Sequence, residues 1–295
     1  MAPMSDQPRL NAMFHRYSEL DIVSATKSEE AFASDVYDVV TSNGERYFMK
    51  ILRSQDPSVI ATEAAMQQRL LAAGIATPQY IEMSPGLYVG THNNERFLLS
   101  KYIPGRSPEM VTPKLIESLG ATLARLHDCL DGIVIPKNDM QWLNPEKVQH
   151  DLDAYDGKMK RTLTELVDYG STIFASNLPL AVTHGDLWLS NVFAENDQVT
   201  TVFDLETAGE TVRLVDIART YTSIRFNSQF SADDVLRGLV TGYDSATTHP
   251  LTAEEHAHIH RAIAYVCGAC ATWHAVHGTR YAEPYIAFGT ESMVK

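Results

Sequence analysis

Long apolar runs and cysteines are scarce in this sequence. None of its apolar stretches approaches the roughly 18 residues of a membrane-spanning helix, and the first ten residues lack the basic start and apolar core of a signal peptide. The three cysteines, Cys129, Cys267 and Cys270, are an odd number in a long chain, which fits reduced thiols better than a disulfide framework. We therefore expect a cytoplasmic protein that does not enter a membrane.

Positive charge is also scarce. The 295 residues carry 24 Lys and Arg against 37 Asp and Glu, which gives a formal net charge of −13 at pH 7. Binding to a nucleic-acid backbone requires clustered cations, so we expect no nucleic-acid partner. An apolar content of 44% is ordinary for a globular protein, and the length allows two packed lobes.

The N-terminal third shows strand patterns. In "ERYFMKIL" (45–52) successive side chains of a strand point to alternate faces of the sheet, so Lys50 shares a sheet face with Phe48 and Leu52. The turn signal "SNG" (42–44) predicts that the preceding "DVYDVV" pairs with this strand as a hairpin. An ammonium group between apolar neighbours is costly unless an anion meets it, which makes Lys50 a candidate ligand-binding residue.

A helix is predicted to begin after "DPS" with Ser58 as its N-cap and to end at Gly74. Glu63 falls within its apolar stripe. Its carboxylate is either paired with a cation or solvated at the edge of the stripe, and both interpretations stay open.

From about residue 104 the strand patterns give way to helical ones. The segment "PKLIESLGATLARLHDCL" (113–130) repeats its apolar residues with a 3.6-residue period. This change in composition predicts an α+β protein with two domains, residues 1–103 and 104–295.

The stretch "HGDLWLSN" (184–191) carries a carboxylate, Asp186, and a carboxamide, Asn191, just before two strand patterns, "NVFA" and "VTTVFD". The intervening "ENDQ" suits a tight turn. Folding this hairpin places residue 191 opposite residue 204, so Asn191 and Asp204 emerge at the same end, with Asp186 in the loop before them. Carboxylate and carboxamide oxygens form a hard cation site that suits Mg²⁺.

Mg²⁺ held by a few protein oxygens usually shares its shell with phosphates and water. The missing ligand is therefore expected to be a nucleotide phosphate, with Lys50 as its cationic clamp and Glu63 holding the ammonium group. Each residue has a simpler explanation on its own, since Asp186 and Asn191 could form Asx turns and a lysine on a strand is common. The occurrence of Lys50, Asp186, Asn191 and Asp204 together at compatible positions is much less expected by chance.

The order Lys, Glu, H-x-D-x4-N and Asp is similar to the protein-kinase signature, with "HGDLWLSN" in the place of the catalytic loop. The closer resemblance is to the aminoglycoside phosphotransferase and choline kinase-like family, which includes homoserine and fructosamine kinases. It rests on "VTHGDLWLSNVF", "VFDLETAG", "LGATLARLHDC" and "LLSKYIPGRS", and it covers most of the chain from about residue 34 to residue 220.

This resemblance implies a bilobal protein-kinase-like fold. Residues 1–103 would form a small, β-rich lobe with one helix that binds the nucleotide, and residues 104–295 a larger, mainly helical lobe with the catalytic loop and the substrate site. The adenine would lie between the lobes, against the backbone of Lys101 to Ile103. Ser34 would donate a hydrogen bond to phosphate from the loop that covers the nucleotide.

The resemblance also implies roles for individual side chains. Asp186 would orient the acceptor hydroxyl and take its proton. Asn191 and Asp204 would hold Mg²⁺. Lys50 would bind the α- and β-phosphates of ATP, with Glu63 as its partner.

Further roles follow for neighbouring residues. Glu206 would point to the same face as the metal aspartate if the strand continued, and would touch a second metal, the substrate or only solvent. His184 and Asp216 would be scaffold residues that hold the loop, and His127, at the end of an apolar helix, would belong to the core. Trp188 would either wall the acceptor site or pack the loop.

The sequence departs from protein kinases in ways that favour a small-molecule acceptor. Gly185 stands where protein kinases have an arginine that receives a phosphorylated activation loop, "DLE" replaces D-F-G, and no A-P-E follows. The phosphate-covering loop at 26–37 contains no glycine.

We therefore expect an ATP-dependent phosphotransferase that moves the γ-phosphate to a hydroxyl of a small molecule: an amino alcohol, a sugar, a homoserine-like or choline-like metabolite, or an aminoglycoside-type antibiotic. An amine-bearing acceptor is favoured, and no oligomeric state is predicted. The alternatives are a non-catalytic nucleotide-binding pseudokinase and, less favoured, a protein kinase-like enzyme. A pseudokinase should have lost one of the key residues, and none is lost.

Overall fold

The structure is a computed structural model that describes residues 6–28, 35–53, 55–137 and 140–295. The chain divides into two compact units, Met1–Pro104 and Gly105–Lys295. The first unit is built on a β-sheet and the second mainly on helices, which confirms the predicted α+β class.

The N-terminal unit is built on five strands: β1 (Ile22–Lys27), β2 (Asp35–Thr41), β3 (Arg46–Leu52), β4 (Gly90–His92) and β5 (Glu95–Lys101). They form one antiparallel sheet in the order β1-β2-β3-β5-β4. The resemblance implies one helix in this unit, whereas the structure has two, α1 (Gln7–Phe14) and α2 (Pro57–Ala72). The unexpected helix is α1, which is short but buries Leu10, Met13 and Phe14 in the core of the unit.

Strand β3 follows the predicted alternation. Tyr47, Met49 and Ile51 are buried, while Lys50 is half-buried on the opposite face. The predicted hairpin with β2 is confirmed by the antiparallel register of the two strands. On the other side of β3, buried Leu98 is the register partner of Lys50, so the lysine has an apolar neighbour on its sheet face.

Helix α2 begins two residues earlier than the predicted cap implies. Asp56, rather than Ser58, is the N-cap, and its carboxylate accepts the Ser58 N–H at 2.7 Å. Pro57 takes the first helical position, where its fixed φ and missing N–H cost nothing, so the cap falls on the residue before it. Glu63 is 3% exposed, and the Tyr80 hydroxyl donates to its Oε2 at 2.5 Å. The interpretation of Glu63 as a solvated edge residue is therefore wrong.

Among its described residues, the C-terminal unit contains seven α-helices and four short strands. The helices are α3 (Pro113–Leu130), α4 (Pro145–Ala154), α5 (Lys160–Ser171), α6 (Leu214–Asn227), α7 (Ala232–Ala246), α8 (Ala253–Val276) and α9 (Ala282–Met293). The strands are β6 (Leu180–Thr183), β7 (Val192–Glu195), β8 (Gln198–Val202) and β9 (Gly209–Val212). They form two separate two-stranded sheets, β6 with β9 and β7 with β8.

Helix α3 confirms the predicted period. Its six predicted apolar positions are all buried: Leu115, Ile116, Leu119, Leu123, Leu126 and Leu130. The helix packs so closely against α7 that a Cβ on Gly120 would lie 2.0 Å from the Leu239 carbonyl oxygen, and one on Gly242 would lie 1.9 Å from the Glu117 carbonyl oxygen. Glycine at both positions therefore allows the two helix backbones to touch.

Helix α8 is the longest helix and carries Cys267 and Cys270, both fully buried. Burial raises the pKa of both thiols, to about 12 for Cys270, so both stay protonated at neutral pH. Within the described ranges, no helix combines the length and the apolarity that a bilayer crossing requires.

Candidate active site

The candidate loop, residues 184–191, follows β6 and is held by a buried carboxylate. Asp216, in the first turn of α6, is fully buried, and its two oxygens accept the backbone N–H groups of His184 at 2.7 Å and Gly185 at 2.8 Å. Burial alone would raise the pKa of Asp216, but the hydrogen bond to His127 and the charge of that ring outweigh it and hold the pKa below its usual value. The prediction that Asp216 holds the loop is confirmed.

His127 does more than fill the core. It is 5% exposed, its Nε2 lies 3.1 Å from Asp216 Oδ2 and its Nδ1 lies 2.9 Å from the Tyr243 hydroxyl. The prediction of a simple core residue is therefore incomplete, because an apolar helix period does not reveal a polar partner that is 89 residues away in sequence.

His184 is completely buried, and its two ring nitrogens contact backbone groups of Asp186 and Phe203. Its Nδ1 accepts the Asp186 N–H at 3.2 Å, so the ring hydrogen belongs on Nε2, which donates to the Phe203 carbonyl at 3.1 Å. Both ring nitrogens are used to fix backbone. The predicted scaffold role of His184 is therefore confirmed.

Gly185 turns the chain with a backbone angle that side chains rarely adopt. Its φ is +79°, and a Cβ there would lie 2.5 Å from the Thr207 carbonyl oxygen. The Thr207 hydroxyl also donates to the His184 carbonyl at 2.9 Å. Glycine therefore suits this position for two reasons: the backbone is left-handed, and the Thr207 carbonyl leaves no room for a Cβ atom.

Asp186 follows this turn, and its side chain is 25% exposed. One oxygen, Oδ1, accepts from Arg219 Nε at 2.8 Å and lies 2.6 Å from Arg219 Nη2. The other oxygen, Oδ2, has only a long 3.5 Å contact with Asn191 Nδ2 among the described hydrogen bonds. Asp186 thus presents a partly exposed carboxylate with one oxygen fixed and the other turned to a weak contact.

Arg219 is the residue of this site that the sequence did not reveal. It lies on α6, 33 residues after its partner, and it is 7% exposed. The signal that could have identified it is its place in "DIAR", three residues after the aspartate that holds the loop. A residue at that spacing lies on the same helix face as Asp216.

Asn191 ends the candidate loop and is oriented by it. Its Nδ2 donates to the Asp186 carbonyl at 2.9 Å. That bond directs the amide nitrogen toward the loop. The other amide atom, Oδ1, therefore faces away from the loop, and it is an oxygen of the kind that binds hard metal cations. The orientation fits a residue that offers an oxygen to a divalent cation.

The hairpin after the loop confirms the predicted turn but corrects the predicted register. Asn196 and Asp197, both at positive φ, form the turn between β7 and β8. The Phe203 N–H donates to the Asn191 carbonyl at 3.1 Å, so residue 191 lies opposite residue 203 rather than 204. The tight turn brings Glu195 opposite Gln198, and an irregularity at Phe193 shifts the pairing by only one residue before the hairpin ends.

Asp204 therefore follows the residue opposite Asn191, so the two still occupy neighbouring positions at one end of the hairpin. It is exposed and adopts a left-handed conformation, with φ 69° and ψ 62°. This conformation ends the strand, and the chain continues as a short 3₁₀ turn, Leu205–Thr207. The expectation that Glu206 continues the strand on the same face is wrong. Glu206 is 8% exposed within the turn, so it is not solvated either.

The residues expected to bind the nucleotide lie in the N-terminal unit. Lys50 is in β3 and Glu63 in α2, as described above. Lys101 is the exposed last residue of β5, and Ile103 follows it, half-buried. Ser34 lies outside the described residues.

A cavity of about 210 Å³ lies beside the candidate loop in the C-terminal unit. It is lined by the segment after Gly105, by the loop and by the end of α6: Ser107, Pro108, Glu109, Met110, Val111, Trp188, Leu189, Ser190 and Asn227. The Ser107 hydroxyl donates to the Ser190 carbonyl at 3.4 Å and the Ala194 N–H donates to the Arg106 carbonyl at 3.2 Å, so this segment is attached to the loop and to β7. These two hydrogen bonds hold the segment after Gly105 in place as one wall of the cavity.

Trp188 belongs both to this cavity and to the packing of the loop. The guanidinium carbon of Arg219 lies 4.3 Å from its ring centroid, and the Phe226 ring centroid lies 5.8 Å away. These contacts support the predicted packing of the loop, and the role of Trp188 at an acceptor site stays a prediction.

Comparison with known proteins agrees with these features. The profile of the phosphotransferase enzyme family APH matches residues 26–256 of the chain. A homoserine kinase from Methylobacillus flagellatus is 27% identical over 227 residues, which cover 75% of this chain and 69% of that protein. A homoserine kinase from Granulibacter bethesdensis is 25% identical over 229 residues, with 74% and 70% covered.

Solved structures show the same fold. An amicoumacin kinase in complex with AMP-PNP, Ca²⁺ and Ami has a TM-score of 0.75 at 16% identity and covers 99% of this chain and 93% of its own. A macrolide 2'-phosphotransferase from Brachybacterium faecium has a TM-score of 0.62 at 16% identity, with 98% and 96% covered. The family match over residues 26–256 shows that this chain belongs to the phosphotransferase enzyme family APH.

Proposed function

We propose that this protein transfers the γ-phosphate of ATP to a hydroxyl group of a small, amine-bearing molecule. The observation that carries the proposal is the candidate loop itself: a partly exposed Asp186, fixed through one oxygen, next to Asn191, whose amide nitrogen is bound to the loop. Phosphoryl transfer needs mainly positioning and charge neutralisation, and this loop supplies both kinds of group.

In this proposal Asp186 accepts the hydrogen bond of the acceptor hydroxyl and takes its proton as the phosphoryl group is transferred. An ordinary carboxylate is adequate, because the hydroxyl loses its proton late and mainly needs a well-placed acceptor. Asn191 and Asp204 offer oxygen atoms to Mg²⁺, which neutralises phosphate charge when it is bound. The neighbouring positions of the two residues at one end of the hairpin support this assignment.

For the N-terminal unit we assign nucleotide binding on the family resemblance. Lys50 would contact phosphate oxygens, with Glu63 as its partner, and the backbone of Lys101 and Ile103 would meet the adenine. Lys50 is a half-buried residue of β3 beside buried Leu98, and its charged side chain supports the assignment of a phosphate-binding role.

The amine on the acceptor is suggested by the cavity beside the loop. Glu109 supplies a carboxylate and Trp188 an aromatic face, and both features attract a cation. Homoserine, for which several relatives are named, is therefore the first acceptor to test.

The deciding experiment measures transfer of labelled γ-phosphate from ATP with Mg²⁺ to a panel of homoserine, choline, ethanolamine, sugars and aminoglycosides. We expect one class of acceptor to be phosphorylated, and Asp186→Ala to abolish the transfer. Asp168→Ala, at an exposed position on α5, is the matched control and should keep full activity. Undiminished transfer by Asp186→Ala would remove the mechanism, and nucleotide binding without transfer to any acceptor would favour a binding protein.

A further inference from the structure

We infer that Arg219 is a positioning residue for Asp186, and that it fixes one carboxylate oxygen so that the other faces the acceptor hydroxyl. This inference rests on the proposed function. Arg219 reaches the same oxygen, Oδ1, with two nitrogen atoms, Nε at 2.8 Å and Nη2 at 2.6 Å. The hydrogen bond from Nε and the close charged contact from Nη2 both hold Oδ1, while Oδ2 has only its long 3.5 Å contact with Asn191 Nδ2 among the described hydrogen bonds.

The guanidinium group is itself held from several sides. Its remaining nitrogen, Nη1, donates to the Thr222 hydroxyl at 3.2 Å and the Tyr285 hydroxyl at 3.3 Å. Its central carbon lies 4.3 Å from the ring centroid of Trp188 and 5.2 Å from that of Trp142. Contacts from α6, α9, the candidate loop and the segment before α4 thus surround one planar cation.

This setting separates a positioning role from substrate binding. A guanidinium that binds substrate needs donors directed at an open space, but Nε and Nη1 of Arg219 already donate to protein oxygens, Nη2 lies 2.6 Å from Asp186 Oδ1, and the residue is 7% exposed. Asp186 is the more exposed partner, at 25%. The pair therefore presents the carboxylate, and not the cation, to an incoming molecule.

The charge of Arg219 is secure despite its burial. Burial alone would lower the pKa of Arg219, but the charge of Asp186 outweighs it, so the pKa lies above its usual value and the side chain stays cationic. The contribution of Arg219 to the reaction is the fixed orientation of Asp186, since a misplacement of about 1 Å can cost about 100-fold in rate.

Trp188 contacts both the Arg219 guanidinium and the cavity beside the loop. Its ring face covers the guanidinium, and the same residue lines the cavity beside the loop. The tryptophan therefore shields the ion pair from water on the side where the acceptor is proposed to bind, and shielding strengthens the pair.

The test compares Arg219→Met and Arg219→Lys with the wild-type protein in steady-state phosphorylation of the acceptor found by the panel. We expect Arg219→Met to lower kcat by about 100-fold or more while the KM values for ATP and acceptor change by less than about threefold. Arg219→Lys keeps the charge but not the paired donors, and should recover part of kcat. Added guanidinium should also recover part of the activity of Arg219→Ala.

Arg225→Met is the matched control. This residue is also an arginine of α6, and it contacts Tyr221, Glu291 and Phe288 rather than the candidate loop. It should keep kcat within about twofold, because its loss removes comparable packing without touching Asp186. Circular dichroism and tryptophan fluorescence of each variant identify any variant that fails to fold, in which case Arg219→Lys decides.

Two kinetic results would overturn the inference: a kcat of Arg219→Met within about threefold of wild type, or a raised acceptor KM with unchanged kcat, which would make Arg219 a substrate-binding residue. If the wild-type protein phosphorylates no acceptor, the proposed function fails instead. A double-mutant cycle of Asp186→Ala and Arg219→Met in urea unfolding then decides whether the two side chains are coupled. Additive effects on stability would show that the pair is not fixed.

Discussion

At the scale of single residues, Gly185 connects backbone strain to the placement of Asp186. An alanine in the left-handed conformation costs about 1–2 kcal/mol. We expect Gly185→Ala to destabilise the protein by more than this, because its Cβ would also lie 2.5 Å from the Thr207 carbonyl oxygen. Gly132→Ala is the matched control, since Gly132 has a φ of +75° with no atom within 4 Å of the added Cβ. Urea unfolding measures both variants, and equal losses would contradict the close contact.

Asp216→Asn should destabilise the protein by about 3 kcal/mol at pH 7, because the variant removes a buried charge from its hydrogen-bonding partners. The folded pKa of Asp216 is lowered from an unfolded value of about 3.9. Its ionised form therefore stabilises the fold above about pH 4, and this contribution is lost as the pH falls through the folded pKa.

The difference in unfolding free energy between wild type and Asp216→Asn should accordingly be constant from pH 7 to about 5 and shrink toward pH 3. Asp168→Asn, at an exposed position, should show no such difference. A difference that grows on acidification would have the wrong sign for a carboxylate with a lowered pKa.

The residues of the candidate loop were predictable because their spacing is local. Asp186 and Asn191 lie five positions apart, and the turn at Asn196 and Asp197 places Asp204 close to them. Arg219 was not predictable in this way, because its partner is 33 residues distant and an arginine on a helix usually faces solvent.

At the scale of elements, the same limit appears in the hairpin register. Turn residues predicted the hairpin, but the pairing of residue 191 with 203 depends on the tight turn together with an irregularity inside the strands. Such an irregularity has no reliable sequence signature, and it decides which side chain emerges at the end of the strand. The error at Glu206 has a related cause, since the left-handed Asp204 ends a strand that the pattern would have continued.

The contact between α3 and α7 gives a sharper prediction. Gly242→Ala should destabilise the protein by about 3 kcal/mol or more, since its Cβ would lie 1.9 Å from a backbone oxygen that cannot move without moving α3. Gly238→Ala, one turn earlier on α7, meets the side chain of Ile116 at 2.7 Å rather than a helix backbone, so it should cost clearly less than Gly242→Ala. Similar unfolding midpoints for the two variants would contradict this packing.

At the scale of the whole molecule, the protein has 37 acidic and 24 basic residues, so its net charge does not attract an anionic nucleotide. Binding of a nucleotide would therefore depend on the cations near its binding site. Composition predicted no binding to nucleic-acid backbones. It could not identify the acceptor, because the cavity proposed to bind it is formed by segments separated by about 80 residues, with Glu109 on one and Trp188 on the other.

ATP with Mg²⁺ should raise the thermal unfolding midpoint by a few degrees, since a ligand at 100 times its Kd stabilises the folded state by about 2.7 kcal/mol. Removal of Mg²⁺ with EDTA and the variant Asp204→Asn should each reduce this shift. Asp197→Asn, at positive φ in the turn of the same hairpin, is the matched control and should keep it. A full shift in Asp204→Asn would remove that residue from the proposed metal site.

The two backbone bonds to Asp216 have a consequence for the rates at which the protein exchanges its amide hydrogens. His184 and Gly185 lie outside regular secondary structure, yet both N–H groups are buried and donate to a carboxylate that is itself inaccessible to water. Exchange there requires the helix that carries Asp216 to separate from the loop. These loop amides should therefore exchange with deuterium as slowly as those of the buried helices, and they would report when the catalytic region opens.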